Sequence, residues 1–428
     1  MKYFLFAVMS LFSLGACASQ PMSNNFIHVD KNGQFIRNGK PYYYIGANFW
    51  YGAILGSEGE GGDRGRLCKE LDFMKSIGID NLRVLVGADG ENGVKTRVQP
   101  SLQTAPGIYN DTILAGLDYF MNELHKRSMT AVLYLNNSWE WSGGYSVYLQ
   151  WSGHGKAVVP AVDGWPAYMK YVKQFQQSDS AKALFANYVK DIITRTNRYN
   201  QLKYVDDPTI MSWQIGNEPR AFSDDNKPLF ARWMSSVAGL IKSLDPNHMV
   251  SSGSEGSWGC EGDITLYDQI HSDPNIDYLN IHIWPYNWGW VKADSLKELL
   301  VKAEENTKSY IDEHLVIARK YHKPIALEEF GFPRNGFKFS KETSTTLRDE
   351  YYAFIFNLVE QSCKKEGLLA GCNFWSWGGF AKQTPGHVYW QKGDDYTGDP
   401  AQEEQGLNSV FATDTIVKVI KRANEKLK

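Results

Sequence analysis

The 428-residue sequence has no excess of charge of either sign and no block of like charges. Its 45 basic and 48 acidic residues are spread along the chain, so it lacks the basic surface that nucleic-acid-binding proteins use. It also lacks a dinucleotide-binding glycine fingerprint, because the glycine-rich segment 59–62 lies in a loop beyond the first strand candidate and has the wrong spacing. We therefore expect the protein to bind no nucleic acid, no cofactor and no metal. A neutral polymer fits this charge balance better than a charged one.

Cysteine is scarce, with five residues and no C-x-x-C pair. Four of them lie beyond the N-terminal segment: Cys68, Cys260, Cys363 and Cys372. If the chain is exported to an oxidising space, one or two disulfides can form, and Cys363 with Cys372 is the favoured pair. Buried free thiols are the alternative.

The N-terminal apolar run, residues 3–14, is too short to cross a bilayer and follows Lys2, as in an export signal. The segment Leu14-Gly15-Ala16-Cys17 resembles the lipobox of bacterial lipoproteins, which implies cleavage after residue 16 and lipidation of Cys17. An ordinary cleaved signal is the alternative. We predict a signal peptide at 1–16, a polar, flexible tether at 17–25, and a periplasmic or cell-surface protein whose only membrane contact is the lipid anchor.

No low-complexity linker interrupts residues 26–428, which predicts one continuous domain. After a hairpin at 26–37, helical patterns alternate with strand candidates, and the expected N-caps include Asp63 and either Asn110 or Asp111. The eight strand candidates are 42–48, 81–86, 130–136, 210–215, 249–253, 278–283, 324–329 and 371–375. This alternation predicts a single-domain (β/α)8 TIM barrel with long strand-to-helix loops.

Aromatic residues, in contrast, are abundant, with 14 Trp and 24 Tyr. Most belong to the core, but several lie in the third, sixth and eighth strand-to-helix loops, on the face that carries catalysis in this fold. Trp rings in such loops can stack against sugars.

Two strand candidates end in a carboxylate, at Glu218 and at Glu329. A pair of carboxylates at the catalytic end of a barrel is typical of glycoside hydrolysis, in which one group protonates the leaving oxygen and the other attacks the sugar or activates water. The strand ends together supply a polar ring that packing does not require: Arg83, Asn136, Asn217, Glu218, Glu255, His282, Glu329 and Trp375.

This combination resembles glycoside hydrolase family 5, whose signatures are Asn-Glu-Pro after strand four and Glu-aromatic-Gly after strand seven. Here these are residues 217–219 and 329–331, and the resemblance extends over residues 30–425. It is closest to the mannan-cleaving branch, through the segments 136–139, 217–220, 254–256, 282–285, 398–400 and 405–409. Trp284 stands where the broader family often has Tyr, so a Tyr contact to the nucleophile is not expected.

The resemblance implies that Glu218 is the general acid and base and that Glu329 is the nucleophile. Arg83 would hold Glu329 ionised, Asn217 would bind the sugar 2-hydroxyl, Trp375 would form the sugar floor, and Arg220 would reach the leaving-group side. The other expected substrate contacts are Asn136, Trp139, Glu255, His282 and Trp284. From strand parity, we expect Glu328 to point away from the barrel axis.

The first functional interpretation is a retaining, monomeric β-1,4-mannan hydrolase, with endo-acting mannanase slightly favoured over an exo-acting β-mannosidase. A β-glucan hydrolase on the same barrel is a further alternative. A non-catalytic glycan-binding lipoprotein is the alternative from another class. Such a protein would be expected to have lost one of the two carboxylates, but both are present here.

Overall fold

Strands and helices alternate along residues 25–428, the part of the chain that the computed structural model describes. The strands are β1 (His28–Val29), β2 (Phe35–Arg37), β3 (Lys40–Pro41), β4 (Tyr44–Asn48), β5 (Asn81–Leu85), β6 (Gln103–Ala105), β7 (Ile108–Tyr109), β8 (Thr130–Tyr134), β9 (Ile210–Gln214), β10 (Met249–Ser251), β11 (Leu279–Ile283), β12 (Ile325–Phe330), β13 (Leu369–Phe374), β14 (Trp377–Gly379) and β15 (Val410–Phe411). The helices are α1 (Gly52–Leu55), α2 (Arg64–Ser76), α3 (Asp111–Lys126), α4 (Gly144–Trp151), α5 (Pro160–Asp163), α6 (Trp165–Val172), α7 (Asp179–Ile193), α8 (Lys227–Leu244), α9 (Ile264–His271), α10 (Leu300–Tyr321), α11 (Thr346–Lys364) and α12 (Ile416–Lys426).

Eight parallel strands form one sheet in the order β10-β9-β8-β5-β4-β13-β12-β11. A parallel bridge between Ser251 and Tyr278 joins its two edges and closes the barrel. The helices surround this sheet, so the predicted (β/α)8 TIM barrel is confirmed, and each predicted strand overlaps a barrel strand. The expected N-cap at Asp63 is also confirmed, since its side chain accepts a hydrogen bond from the backbone of Arg66. Of Asn110 and Asp111, Asn110 is the N-cap, and it accepts from the backbone of Thr112.

The lower interior of the barrel is filled by apolar side chains, among them Tyr44, Val132, Met211 and Ala326. The hairpin of β1, β2 and β3 closes this end, and Phe35 packs edge-on against Tyr278 with ring centroids 5.1 Å apart. Because these residues fill the floor, polar side chains collect at the other end, where the strands meet the long loops.

The loop after β13, residues 375–409 and called loop eight below, is fixed at its base by buried charge. The carboxylate of Asp399 accepts hydrogen bonds from the backbone of Gly406 (2.8 Å) and Ser409 (3.2 Å). Arg334, which follows β12, donates to the carbonyl of Gly406 and forms an ion pair of 2.7 Å with Asp414. Loop eight is therefore held as a defined surface above the strand ends.

The predicted Cys363–Cys372 disulfide is wrong: Cys68, Cys260, Cys363 and Cys372 are all free thiols in the described structure. Cys372 on β13 is buried in the main core between strands and helices. Cys363 on α11 packs instead against the apolar cluster at the hairpin end. The two thiols thus belong to separate packing regions.

The signal peptide predicted at 1–16 and most of the tether at 17–25, including Cys17, lie outside the described residues, and these assignments stay predictions. Among residues 25–428, the structure contains no helix with the length and apolar character needed to span a bilayer.

Candidate active site

The guanidinium of Arg83 on β5 is the centre of the polar end of the barrel. It is fully buried and donates to Gln214 Oε1 (2.7 Å), Asn217 Oδ1 (2.9 Å) and Asn48 Oδ1 (3.1 Å). Its Nη1 also donates to Glu329. The partners lie on or just after three strands, with Asn48 on β4, Gln214 and Asn217 at the end of β9, and Glu329 on β12, so this one cation links three separate chain segments.

The two candidate catalytic carboxylates face each other across His282. The Nδ1 atom of His282 is 2.9 Å from Glu218 Oε1 and 3.5 Å from Glu329 Oε2. Trp139 Nε1 donates to the other oxygen of Glu218 at 2.5 Å. One oxygen of each carboxylate and a ring nitrogen of His282 lie within 4.8 Å of one another. Such a trio can also ligate metals, but the guanidinium bonded to Glu329 already supplies the opposite charge there.

Glu218 is held in a strained backbone conformation by its neighbours. Its φ is +51°, in the left-handed region that non-glycine residues rarely adopt. The backbone N–H of Glu218 donates to the carbonyl of Gly253 (3.0 Å), and the hydroxyl of Ser138 donates to its carbonyl. The surrounding loops therefore over-determine the position of this carboxylate, as is common at functional sites.

Burial and charge together distribute the protons between the two carboxylates. Burial raises the pKa of Glu218, and of the two opposing cations Arg220 acts more strongly than Arg83. Burial also raises the pKa of Glu329, but Arg83 is bonded directly to that carboxylate and favours its ionised form. The direct bond from Arg83 thus favours the charged form of Glu329, whereas Glu218 is bonded by the side chains of Trp139 and His282. Burial lowers the pKa of His282, so its ring is neutral.

The expected orientation of Glu328 is wrong. Leu327 pairs with Ile281 but Glu329 pairs with His282, so Glu328 is the extra residue of a β-bulge. Because the bulge breaks strand parity, its carboxylate stays inside the barrel, where it accepts from Gln214 Nε2 (2.5 Å) and Tyr278 OH (3.0 Å). It is also 3.8 Å from Arg83 Nε. Glu328 therefore supports the Arg83 network from below.

Arg220 and Glu255 form a buried ion pair beside Glu218. Both Nε (2.9 Å) and Nη2 of Arg220 donate to Glu255 Oε2, and the guanidinium lies 5.2 Å from the ring centroid of Trp139. Burial raises the pKa of Glu255 to about 7, although Arg220 opposes the shift. This pair continues the polar wall from Trp139 toward the rim.

A cavity of about 520 Å³ opens above these groups. Eight of the residues expected from the sequence line it, namely Trp139, Asn217, Glu218, Arg220, Glu255, Trp284, Glu329 and Trp375. Arg83, Asn136 and His282 instead lie beneath the surface, where Arg83 and His282 bond the carboxylates. The side-chain oxygen of Asn136 accepts from the backbone N–H of Asn137, and its carbonyl accepts from the N–H of Asn217 at 2.7 Å.

Sequence reasoning missed the acidic side of this cavity, which is formed by Glu140, Gln402 and Glu403. Within the described structure, Gln402 Oε1 and Glu403 Oε2 are buried without a hydrogen-bond partner. Burial raises the pKa of Glu140 to about 7. Burial also raises the pKa of Glu403, and the negative charges of Asp399 and then Glu329 add to that shift. Uncompensated buried carboxylates are costly in a fold, and this signal exists only in three dimensions.

Three aromatic residues of the cavity wall were also missed: Trp165 at one end, and Trp258 and Trp288 at the other. Trp288 belongs to the sixth strand-to-helix loop, which is rich in aromatic residues. The aromatic content of these loops was the available signal, but it does not identify which rings face the cavity.

Comparisons with known proteins agree with this geometry. Residues 24–428 match the family described as glycoside hydrolase family 5, β-mannosidase-like. The crystal structure of a glycoside hydrolase family 5 mannosidase from Rhizomucor miehei is 32% identical, with a TM-score of 0.86 over 95% of this chain and 98% of that one. A Glu→Ala mutant of that mannosidase, in complex with mannosyl-fructose, has a TM-score of 0.87 at the same coverage and identity.

The chain is also similar to mannan endo-1,4-β-mannosidase 4 of Solanum lycopersicum, with 28% identity over 367 residues, 82% of this chain and 83% of the relative. The endo-1,4-β-mannanase of Rhizomucor miehei shares the fold at 22% identity and a TM-score of 0.68.

The burial of Glu140 predicts a pH-dependent stability effect. Its pKa rises from 4.5 to about 7 on folding, so the folded state keeps this proton to higher pH than the unfolded chain. The wild type therefore loses stability as pH rises through this window. The free energy of unfolding of Glu140→Gln should differ from that of the wild type by a nearly constant amount below pH 4.5. By pH 8, the variant should have gained on the order of 3 kcal/mol of unfolding free energy relative to the wild type. Urea unfolding at both pH values measures this, and an equal difference at both would contradict it.

Proposed function

The chain belongs to the β-mannosidase-like group of glycoside hydrolase family 5, and from that premise we propose that Glu218 and Glu329 hydrolyse β-1,4-mannosidic bonds by a retaining double displacement. The observation that carries the proposal is the short separation of the two carboxylates, whose nearest oxygens lie within 4.8 Å. Retaining glycosidases hold their carboxyl groups about 5–5.5 Å apart, whereas inverting enzymes need a wider gap for water.

In the first step, the Glu329 carboxylate attacks the anomeric carbon and the glycosidic C–O bond breaks. Glu218 gives its proton to the departing oxygen, which leaves a glycosyl ester on Glu329. In the second step, water attacks the anomeric carbon, the ester bond breaks, and the Glu218 carboxylate takes the proton of that water. The neutral His282 and Trp139 orient the carboxylate of Glu218 through both steps.

The neighbouring residues support this chemistry. Arg83 keeps Glu329 ionised and aligned. Asn217 Oδ1 accepts from Arg83 and its Nδ2 donates to Asn137 Oδ1 (3.2 Å), so a second amide hydrogen is available for the sugar 2-hydroxyl. Trp375 and Trp284 line the cavity with their rings 6.0 Å apart, and Trp375 forms the floor under the reacting sugar.

We further propose that the enzyme acts from the non-reducing end of its substrate. Gln402 and Glu403 of the acidic side lie in loop eight, which follows β13, and β13 is the neighbour of β12, the strand that carries Glu329. The acidic side is therefore assigned to the nucleophile. Sugar units on that side belong to the glycone. A terminal mannose can donate its free hydroxyls to Glu140 and Glu403, whereas a continuing chain would have to pass these buried groups.

Endo action is the alternative, and it is favoured by the names of the plant relatives. The β-glucan alternative has no support from the relatives described above, which are mannosidases and mannanases by name.

The mode of action can be read from early products of linear mannohexaose. Exo action predicts mannose and mannopentaose as the first pair of products, in equal amounts, with shorter chains appearing in order. Endo action predicts mannobiose to mannotetraose from the start. Chromatography at less than about one tenth conversion separates the two, and an endo pattern would contradict a closed glycone end.

The two adjacent glutamates of β12 are expected to respond differently to the same change. Glu329→Gln removes the nucleophile and should lower kcat by roughly 10³-fold or more with the fold intact. Glu328→Gln weakens the bonds from Gln214 and Tyr278, so it should cost about 1–3 kcal/mol of stability and retain far more activity. The measurements are kcat and thermal unfolding of both variants. Greater inactivation by Glu328→Gln, with both variants folded, would reverse the assignment.

We propose that the protein is exported and anchored by lipid at Cys17. The segment 14–17 supports this proposal, and residues 17–25 are polar enough to serve as a tether between the barrel and a bilayer.

Cys17→Ser should then release the enzyme into the soluble fraction without changing its rate on small substrates. Acyl chains contribute about 0.8 kcal/mol for each buried CH₂, so a multiply acylated Cys17 would hold the wild type on membranes. Fractionation and mass analysis of the N-terminal peptide provide the test. Equal partitioning of both proteins, without added lipid mass, would indicate an ordinary secreted enzyme.

A further inference from the structure

The cavity end opposite the acidic side carries a stacked pair of tryptophans. Trp258, in the loop after β10, and Trp288, in the loop after β11, lie with ring centroids 4.9 Å apart and planes at 14°. Both line the cavity, and Trp258 keeps 41% of its surface exposed. An exposed Trp stacked on a second Trp within a polar cavity is more than core packing requires.

This pair is held rigidly by helix α10. The hydroxyl of Tyr310 donates to the carbonyl of Glu255 (2.8 Å) and accepts from the backbone N–H of Trp258 (3.2 Å). His314 Nε2 accepts from the backbone N–H of Ser257 at 2.9 Å. Trp288 packs on Tyr310 with centroids 5.2 Å apart. The ring of Trp258 is therefore presented in a fixed position, which lowers the entropy cost of binding.

The pair lies on the side of the general acid. Trp258 is three residues beyond Glu255, which binds Arg220, and Arg220 lies over Trp139, which bonds Glu218. The leaving group receives its proton from Glu218, so it departs toward this wall. The glycone lies at the opposite, acidic end.

We propose that Trp258, supported by Trp288, is the binding platform for the leaving group, and that it takes the apolar C–H face of a hexopyranose ring. The Arg220–Glu255 pair lies beside it to accept and donate hydrogen bonds to the hydroxyl edge of that ring. Substrates whose leaving group is a sugar thus gain a contact that substrates with a small leaving group lack. This inference rests on the proposed function, because it takes Glu218 as the acid.

The test compares two substrates that share a glycone: mannotriose, with a sugar leaving group, and β-mannosyl fluoride, whose leaving group has no ring. Trp258→Ala should lower kcat/KM for mannotriose by about two- to tenfold, the size of one aromatic stacking contact, with most of the change in KM. The value for β-mannosyl fluoride should stay within about twofold of wild type. Trp258→Phe should restore part of the loss, since a ring is again available.

Tyr286→Ala is the matched control. Tyr286 lies in the same loop as Trp288, is 39% exposed and packs on Phe337, and it is outside the lining of the cavity as the described residues form it. This variant should leave kcat/KM unchanged for both substrates.

Three outcomes would overturn the proposal. Equal losses on both substrates would mean that Trp258 supports the reacting site as a whole, and unchanged values on both would mean that it binds no substrate. If the wild type turned over neither substrate, the proposed function itself would be wrong. This outcome is distinct from the other two, because it is seen in the wild type without any Trp258 variant.

Discussion

The buried guanidinium of Arg83 is the interaction on which the site depends. It lies inside the barrel without solvent contact and bonds Asn48, Gln214, Asn217 and Glu329, which belong to three separate parts of the sheet. Removing one member of a buried charge pair typically costs about 3–5 kcal/mol, because the remaining charge loses its partner. The same contact that stabilises the upper barrel therefore also favours the charged form of Glu329 over that of Glu218.

The cavity above this cation has two chemically different ends. The acidic end offers buried carboxylate oxygens, while the other end offers stacked indoles and the Arg220–Glu255 pair. Both ends are carried by loops that buried polar contacts tie to the scaffold, through Asp399 and Arg334 on one side and through Tyr310 and His314 on the other. The two ends of the cavity are thus formed by loops, whereas the charge network around Arg83 is held by strands.

The barrel strands, the helix caps and the meeting of Glu218 and Glu329 at one end of the barrel could be predicted from the sequence, because periodicity, capping residues and strand-terminal carboxylates are local signals. The inward turn of Glu328 could not, since a bulge in β12 is set by pairing with β11 and leaves no mark on the alternation of residues. Glu403 and Trp258 lie in irregular loops, where no period tells which side chains face the cavity. The expected Cys363–Cys372 bond was wrong because closeness in sequence does not place two side chains in one packing region.

Covalent trapping of the nucleophile tests the central claim most directly. A 2-deoxy-2-fluoro-β-mannosyl fluoride should inactivate the enzyme with one sugar bound per chain. The fluorine at C2 slows both steps, but the good fluoride leaving group keeps the first step fast enough for the glycosyl ester to accumulate. Peptide mass spectrometry should place that sugar on Glu329. Attachment to Glu328 or Glu218, or turnover with no covalent species under conditions that trap a retaining enzyme, would contradict the account.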